Sequence, residues 1–382
     1  MAIKYDYIIC GAGAAGLSLA LRLTATRYKH LNILIIDKTR RTGNDHTWCF
    51  WENGPSPYDD LLSSAYDHIY FHSDSFSKRI SIAPYRYKML QSSPFYAFAW
   101  EKINDSPHIH FVEDAVLAIS EKEDRAVVQT SGDSFESSQV FTSIFTGDID
   151  KSEELYVDQH FKGWFIKSQE DIFDPGTATF MDFRIDQEGE CRFFYVLPSS
   201  TREALVEIAI FSNDLLKVED YDPIIEKYIA DYIGKSEYDI VEKEYGVIPM
   251  TSYPFWKHAS ARIFPIGAAG GAVKPSSGFA FKRIQEHSDS IAEAIAKGEA
   301  VSQTYDAFKS RFYLYDKILL DVILKQNKPG DDIFTDLFKH NKASSVFKFL
   351  DGKTSLLEES RIFTTLPISP FLRGWFRHKL GL

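Results

Sequence analysis

A chain of 382 residues is long enough, at ~100–200 residues per domain, for two domains or for one large domain with an excursion. With 44% hydrophobic residues, 25% charged residues and a mean hydropathy of −0.23, it is neither a disordered chain nor a polytopic membrane protein. A net charge of −11 argues against a nucleic-acid ligand, and Cys10, Cys49 and Cys191, far apart and without CxxC spacing, argue against a disulfide framework, a zinc ribbon or a dithiol centre.

Residues 5–10 predict a short buried strand that leads into a glycine turn. A helix follows, with Leu17, Ala20 and Leu21 at helical spacing, and then a second strand over 33–37. Strand, glycine turn, helix and strand make the opening of a parallel βαβ unit. Alternating stretches near 68–72, 109–112, 116–120 and 126–130 predict further strands, and 140–147 a buried strand ending in glycine. Between 178 and 212 long alternating runs separated by turn residues predict antiparallel sheet. A strand at 261–267 enters a Gly/Ala/Ser-rich loop, and the helix after it carries Phe281, Ile284, Ile291 and Ile295 on one face. Beyond residue 300 the periodicity is helical up to a proline-interrupted end, and this stretch has a local charge of +4 against −15 for the rest.

Gly11, Gly13 and Gly16 form GxGxxG between a strand and a helix. The first glycine permits the tight turn, the second lets a pyrophosphate approach the backbone, and the third lets helix and strand pack closely. Asp37, at the end of the next strand, stands where a carboxylate hydrogen-bonds a ribose hydroxyl. An acid there does not choose between FAD and NAD. The second glycine loop, Gly267-Ala-Ala-Gly-Gly-Ala-Val-Lys-Pro-Ser-Ser-Gly-Phe, points to FAD, because large two-domain flavoproteins place such a helix N-terminus beside the flavin ring. The cofactor-binding set is therefore Gly11, Gly13, Ala14, Ala15, Gly16, Asp37, Lys38, Gly267, Gly270, Gly271, Ser277, Gly278 and Phe279.

Glu207 lies in the apolar run Ala204-Leu205-Val206-Glu207-Ile208-Ala209-Ile210-Phe211. Burial there raises a carboxyl's pKa toward the range of a general acid, whereas the opposite strand parity would leave an edge glutamate in solvent. His46 and the pair His68/His72 have no third ligand cluster with them, so no metal is expected.

These motifs occur in series with Asp45-His46-Thr47-Trp48-Cys49-Phe50-Trp51, Met181-Asp182-Phe183-Arg184, the Glu207 segment, Gly246-Val247-Ile248-Pro249-Met250, the loop Ala269–Lys282, Phe349-Leu350-Asp351-Gly352 and Pro367 to Leu372. In that order, over nearly the whole chain, the series resembles the flavin-dependent lycopene cyclases, the bacterial beta-cyclase branch above all. The chain departs from the pattern in two places: Glu207 is followed by Ile208 where plant members have a second glutamate, and Ala268 stands where many related flavoproteins have Asp.

The resemblance implies an α/β fold: a Rossmann-like FAD-binding domain of the two-dinucleotide-binding flavoprotein type, an antiparallel substrate sheet and a helical C-terminal part. The expected boundaries are 1–150 with 255–300 for the FAD domain, 151–254 for the sheet and 301–382 for the helical region. It implies redox-neutral closure of the ψ-ends of lycopene to β-ionone rings, through γ-carotene to β-carotene, with reduced FAD as the active form and NADPH as reductant. Glu207 is the expected catalytic acid/base, although residue types leave open whether it or the reduced flavin gives the first proton. Asp45, Trp48, Phe50, Trp51 and Tyr195, with Phe193 and Phe194, are the expected substrate or cation-shielding residues, since aromatic faces stabilise a cation without offering a nucleophile. Asp182 and Arg184 are expected to serve architecture or flavin contact. The alternative is a net redox flavoenzyme, a reductase or monooxygenase, acting on an isoprenoid. No apolar run approaches the ~18 residues of a membrane span and the first ten residues lack export-signal grammar, so the expected place is cytoplasmic, peripheral on the inner face of the cell membrane. The basic, aromatic C-terminal region is the expected membrane contact.

Overall fold

A computed structural model describes residues 4–145, 147–149, 151, 154–325 and 330–380. Contacts divide the chain into two units: one of Met1–Asp45, Gln91–Glu154 and Tyr253–Tyr313, the other of His46–Leu90, Leu155–Ser252 and Leu314–Leu382.

The first unit is built on the strand Lys4–Cys10, which pairs in parallel with Ile33–Asp37 on one side and Ser134–Thr142 on the other. Ile109–Glu113 extends the sheet in parallel beyond Ile33–Asp37. Ala126–Thr130 and Val116–Glu121 continue it as an antiparallel meander, and Ile263–Pro265 pairs with Ser134–Thr142. Every residue of Ile33–Asp37 is buried, as a strand covered on both faces requires. The helices Ala14–Leu23 and Phe281–Lys297 lie together: Gln285 Nε2 donates to Ser18 Oγ at 2.7 Å, and Tyr28 Oη donates to Ala292 O at 2.7 Å. Such bonds satisfy polar groups that the helix contact takes out of water.

The second unit holds a sheet in the order Tyr238–Thr251, Tyr156–Ser168, Glu203–Phe211, Cys191–Pro198, Thr177–Asp182, His68–Ser73, Phe76–Ser81, beside a smaller sheet of Thr47–Asn53, Tyr85–Gln91 and Ser64–Tyr66. One face of the large sheet carries Trp164, Ile166, Phe194, Val206, Ile208 and Ile210, covered by Tyr221, Ile225 and Tyr228 of the helix Tyr221–Tyr228. Phe194 and Tyr228 stack with centroids 3.8 Å apart and an interplanar angle of 5°. The other face carries Phe71, Phe180, Phe183, Phe193 and Tyr195. The helices Gly330–His340 and Ala343–Leu350 lay Phe334, Phe338 and Phe347 on it, with Phe71–Phe338 at 5.0 Å and Phe180–Phe347 at 5.5 Å. The last helix, Ile368–Leu380, packs Phe371 and Trp375 with Ile318, Val322 and Ile333. No helix among the described residues is long and apolar enough to cross a membrane.

This grouping differs from the boundaries expected from sequence. Residues 46–90 belong to the second unit, because His68–Ser73 hydrogen-bonds in parallel to Thr177–Asp182. The segment 301–313 stays with the first, where Tyr305 Oη donates to Pro265 O at 2.6 Å. The strand expected over 140–147 ends at Thr142: Ser143 N makes the last rung to Cys10 O, and Ile144 N then donates to the Thr142 hydroxyl at 3.1 Å instead of to the neighbouring strand. The two longest strands, Tyr156–Ser168 and Tyr238–Thr251, went unpredicted as elements: the first is buried on both faces and the second mixes glutamates with apolar residues, so neither alternates cleanly. Truncating the stacked ring by Phe194→Ala should cost about 3–5 kcal/mol, seen as a lower urea midpoint with an unchanged slope.

Candidate functional site

Within the first unit the two glycine loops meet. Gly11 has φ +101°, and a β-carbon at Gly16 would lie 1.8 Å from Gly11 O, so the helix starts against the strand at a distance only glycine allows. A β-carbon at Gly267, φ +63°, would lie 2.7 Å from Ala15 Cβ, which sets the second loop against the first turn of Ala14–Leu23. Asp37 Oδ2 accepts the Ala12 N–H at 2.6 Å and thereby braces the loop. The helix begins at Gly13 without a side-chain cap or an acidic residue in its first turn, and Ser277 Oγ is buried with no hydrogen-bond partner. Uncapped helix N–H groups, close-packed glycines and an orphaned hydroxyl fit a dinucleotide whose pyrophosphate supplies the acceptors.

Within the second unit the sheet register aligns Tyr195, Glu207, Gly163 and Glu244 across four strands on one face. A β-carbon at Gly163 would lie 3.2 Å from Glu207 Cβ, 3.2 Å from Glu244 Cγ and 2.6 Å from Leu205 Cδ1, so the absent side chain is the space in which the carboxyls meet. Glu207 and Glu244 hydrogen-bond each other, and Thr47 Oγ1 donates to Glu244 Oε2 at 2.7 Å. Both side chains keep some accessible surface, yet they lie deep enough among protein atoms for desolvation to dominate their titration. Burial first, then the charge and hydrogen bond of Glu244, push Glu207 well above the ordinary glutamate range. Burial also raises Glu244, but the hydrogen bonds from Glu207 and Thr47 oppose the rise. Of the two, Glu207 is pushed more strongly toward the protonated form. Burial keeps Cys49, Tyr87 and Tyr195 around them neutral. Lys88 Nζ, almost wholly buried, donates to Glu52 at 2.9 Å and Asp59 at 2.6 Å and so ties the strand bearing Thr47 to its neighbour.

A fold with paired glycine loops and a buried acid on an aromatic sheet can be set against known proteins. The family model described as Lycopene cyclase protein matches residues 6–375. The chain belongs to the lycopene cyclase family. It is 22% identical to a lycopene beta-cyclase of Pseudescherichia vulneris over 97% of this chain and 96% of that protein. A lycopene beta-cyclase of Pantoea ananas is 23% identical over 72% of this chain and 70% of its own length. Among solved structures, a geranylgeranyl bacteriochlorophyll reductase-like protein of Thermoplasma acidophilum has a TM-score of 0.66 at 13% identity, covering 98% of this chain and 96% of its own. A flavin-dependent brominase has a TM-score of 0.58 at 15% identity over the whole of both chains. At such identities the likeness is one of fold alone.

The residues expected from the sequence of this lycopene cyclase family member fall in both units. Gly270 packs on Pro265 O, Gly271 and Gly278 adopt left-handed φ of +87° and +72°, and Phe279 O accepts the Lys274 N–H at 3.0 Å, which closes the second loop. Lys38 is exposed. Asp45 groups with the first unit, where its carboxylate accepts from Arg41 at 2.6 Å and from Ser92 and Tyr96 at 2.9 Å. Along Thr47–Asn53, strand alternation turns Trp48 and Phe50 to the face opposite Thr47, Cys49 and Trp51. Trp51 stacks on Phe347 at 5.0 Å, and Tyr195 neighbours Glu207 directly. Phe194 lies on the other face of the large sheet, against Tyr228, and is no partner of Glu207. Asp182, fully buried, takes Arg184 Nε at 2.9 Å and Tyr228 Oη at 2.8 Å, an architectural clamp.

Glu244, Thr47 and Gly163 were not foreseen. A usable signal existed for Glu244, two residues before Gly246 at the same strand parity, but its partner comes from a strand some 40 residues away in the chain. Because folded Glu207 keeps a proton that the unfolded chain releases, the stability it carries is full below the ordinary glutamate range and drains as pH rises toward its elevated pKa. Glu207→Gln cannot ionise, so its stability relative to the parent should increase with pH across that window; urea unfolding over a pH series measures it, and a pH-independent difference would contradict the assignment.

Proposed function

We propose that this chain is an FAD-dependent lycopene beta-cyclase that converts the ψ-ends of lycopene to β-ionone rings without net redox change, giving γ-carotene and then β-carotene. The observation that carries the reading is a carboxylic acid, Glu207, kept protonated beside Glu244 on a sheet face lined with aromatic rings. Family membership supports the same chemistry. In the first unit Gly11, Gly13, Ala14, Ala15 and Gly16 would hold the pyrophosphate, and Asp37 and Lys38 the ribose side. Gly267, Gly270, Gly271, Ser277, Gly278 and Phe279 would serve the flavin ring. FAD in its reduced form, with NADPH as its reductant, would supply electron density that stabilises cationic charge.

The protein groups account for the rest. The Glu207 O–H delivers its proton to C2, leaving a tertiary cation at C1; the C5–C6 double bond attacks C1; and the proton on C6 is lost. Substrate and product are isomers. Water would trap the cation as an alcohol, so the acid must work on a surface that sheds water, and Tyr195, Phe180, Trp51 and Phe347 offer π-faces without nucleophiles. Each desolvated cation–π contact contributes ~2 kcal/mol. Lycopene is a hydrocarbon that must be drawn from a bilayer. We assign the contact to the C-terminal helices, where Leu356, Leu357, Leu372 and Phe376 are exposed large apolar residues and Arg361 and Arg373 are exposed cations.

Incubated without oxygen with liposomal lycopene, FAD and NADPH, the protein should give a product of unchanged mass and blue-shifted absorption. A gain of two hydrogens or of one oxygen would instead identify a reductase or a monooxygenase. Glu207→Gln should lower turnover by at least ~10²-fold while flavin absorbance stays with the protein. Charged substitutions at Leu372 and Phe376 should reduce co-sedimentation with anionic vesicles, and undiminished binding would move the membrane contact elsewhere.

A further inference from the structure

We propose that Glu244 is a positioning residue that keeps the proton on Glu207 between turnovers and drives its return after each ring closure. The inference rests on the cyclase reading for its role in turnover, but not for the pairing of the two groups.

The argument starts from geometry. Strand register puts both glutamates opposite Gly163, and the missing side chain there lets their carboxyls share one hydrogen bond. The Thr47 hydroxyl, 2.7 Å from Glu244 Oε2, can donate to that oxygen and so favours the anionic form of Glu244. A resting array follows: Glu207 as acid, Glu244 as carboxylate accepting from it, and Thr47 donating from the far side.

Ring closure disturbs this array in a defined way. The O–H bond of Glu207 breaks and a C–H bond forms at C2. The pair then carries two negative charges in contact, which like-charge repulsion in a poorly solvated site makes unfavourable. When the C6–H bond breaks, its proton restores the O–H of Glu207, directly or through Glu244. No electrons are gained or lost, and no outside acid is needed between one ring and the next.

Among the other ionisable groups facing the pair, Cys49 of Thr47–Asn53, Tyr87 of Tyr85–Gln91 and Tyr195 of Cys191–Pro198 stay neutral; on Glu244 the charge of Glu242 favours the acid form, and His46 and the Thr47 hydroxyl favour the anion.

The test compares the flavin-loaded parent with Glu244→Gln, which has nearly the same shape and no charge, and with Glu244→Asp. The infrared carboxylic-acid C=O band that Glu207→Gln removes is followed against pH. In the parent it should persist to neutral pH; in Glu244→Gln it should disappear about 1–3 pH units lower; and Glu244→Asp should restore part of the difference. The alkaline limb of the cyclisation rate should move with the band. A band that titrates at the same pH in Glu244→Gln as in the parent overturns the inference whether or not product forms, and so does a shifted band with an unmoved alkaline limb. A shifted band in a protein that gives no isomeric product overturns the cyclase reading and leaves the coupling of the two carboxyls standing.

Discussion

Two carboxyl groups can meet inside the second unit because the strand between them has no side chain at position 163. Tyr156–Ser168 hydrogen-bonds to Glu203–Phe211 on one side and to Tyr238–Thr251 on the other, and its register places Gly163 opposite Glu207 and Glu244 together. Any other residue there would occupy the space the carboxyls use, and a slip of one residue would turn one of them to the opposite face. The electrostatics follow from this steric fact. Proximity in a poorly solvated place favours a proton on the pair, more strongly on Glu207 than on Glu244, and the Thr47 hydroxyl adds to that bias.

The same face gathers part of the aromatic content of 15%. Strand residues Phe71, Phe180 and Phe193, with Phe183 just past the strand Thr177–Asp182, meet helix residues Phe334, Phe338 and Phe347 in edge and stacked contacts. An aromatic layer beside an acid lowers the polarity around it without adding a nucleophile, which is what cation chemistry on a hydrocarbon needs. The opposite face, with Trp164, Phe194 and Tyr228, is a packing core and nothing more. The first unit offers backbone rather than side chains, close-packed glycines and an uncapped helix start, an arrangement that fits an anionic ligand.

The parts legible in the sequence share one property: their signal is local. Strand, glycine turn and helix at 5–23 sit within one short window, as do the second strand ending in Asp37 and the loop from Gly267 to Phe279. Glu207 was legible because an acid in an otherwise apolar strand conflicts with its surroundings. The illegible parts depended on distant pairing. Residues 46–90 read as a continuation of the first domain, but hydrogen bonds to Thr177–Asp182 place His68–Ser73 in the large sheet. Phe193 and Phe194 looked equivalent as neighbours, and the pleat sends them to opposite faces, one to Tyr195 and one to Tyr228.

By itself, then, the sequence determined the glycine loops, the strand and helix periods around them, the membership of a family and one acid in an apolar strand, all features written in contiguous residues whose backbone demands only their own chemistry can meet. Tertiary structure alone decided that Glu244, Thr47 and Gly163 join that acid, because their proximity is created by antiparallel register between strands far apart in the chain, and one residue of slip would abolish it.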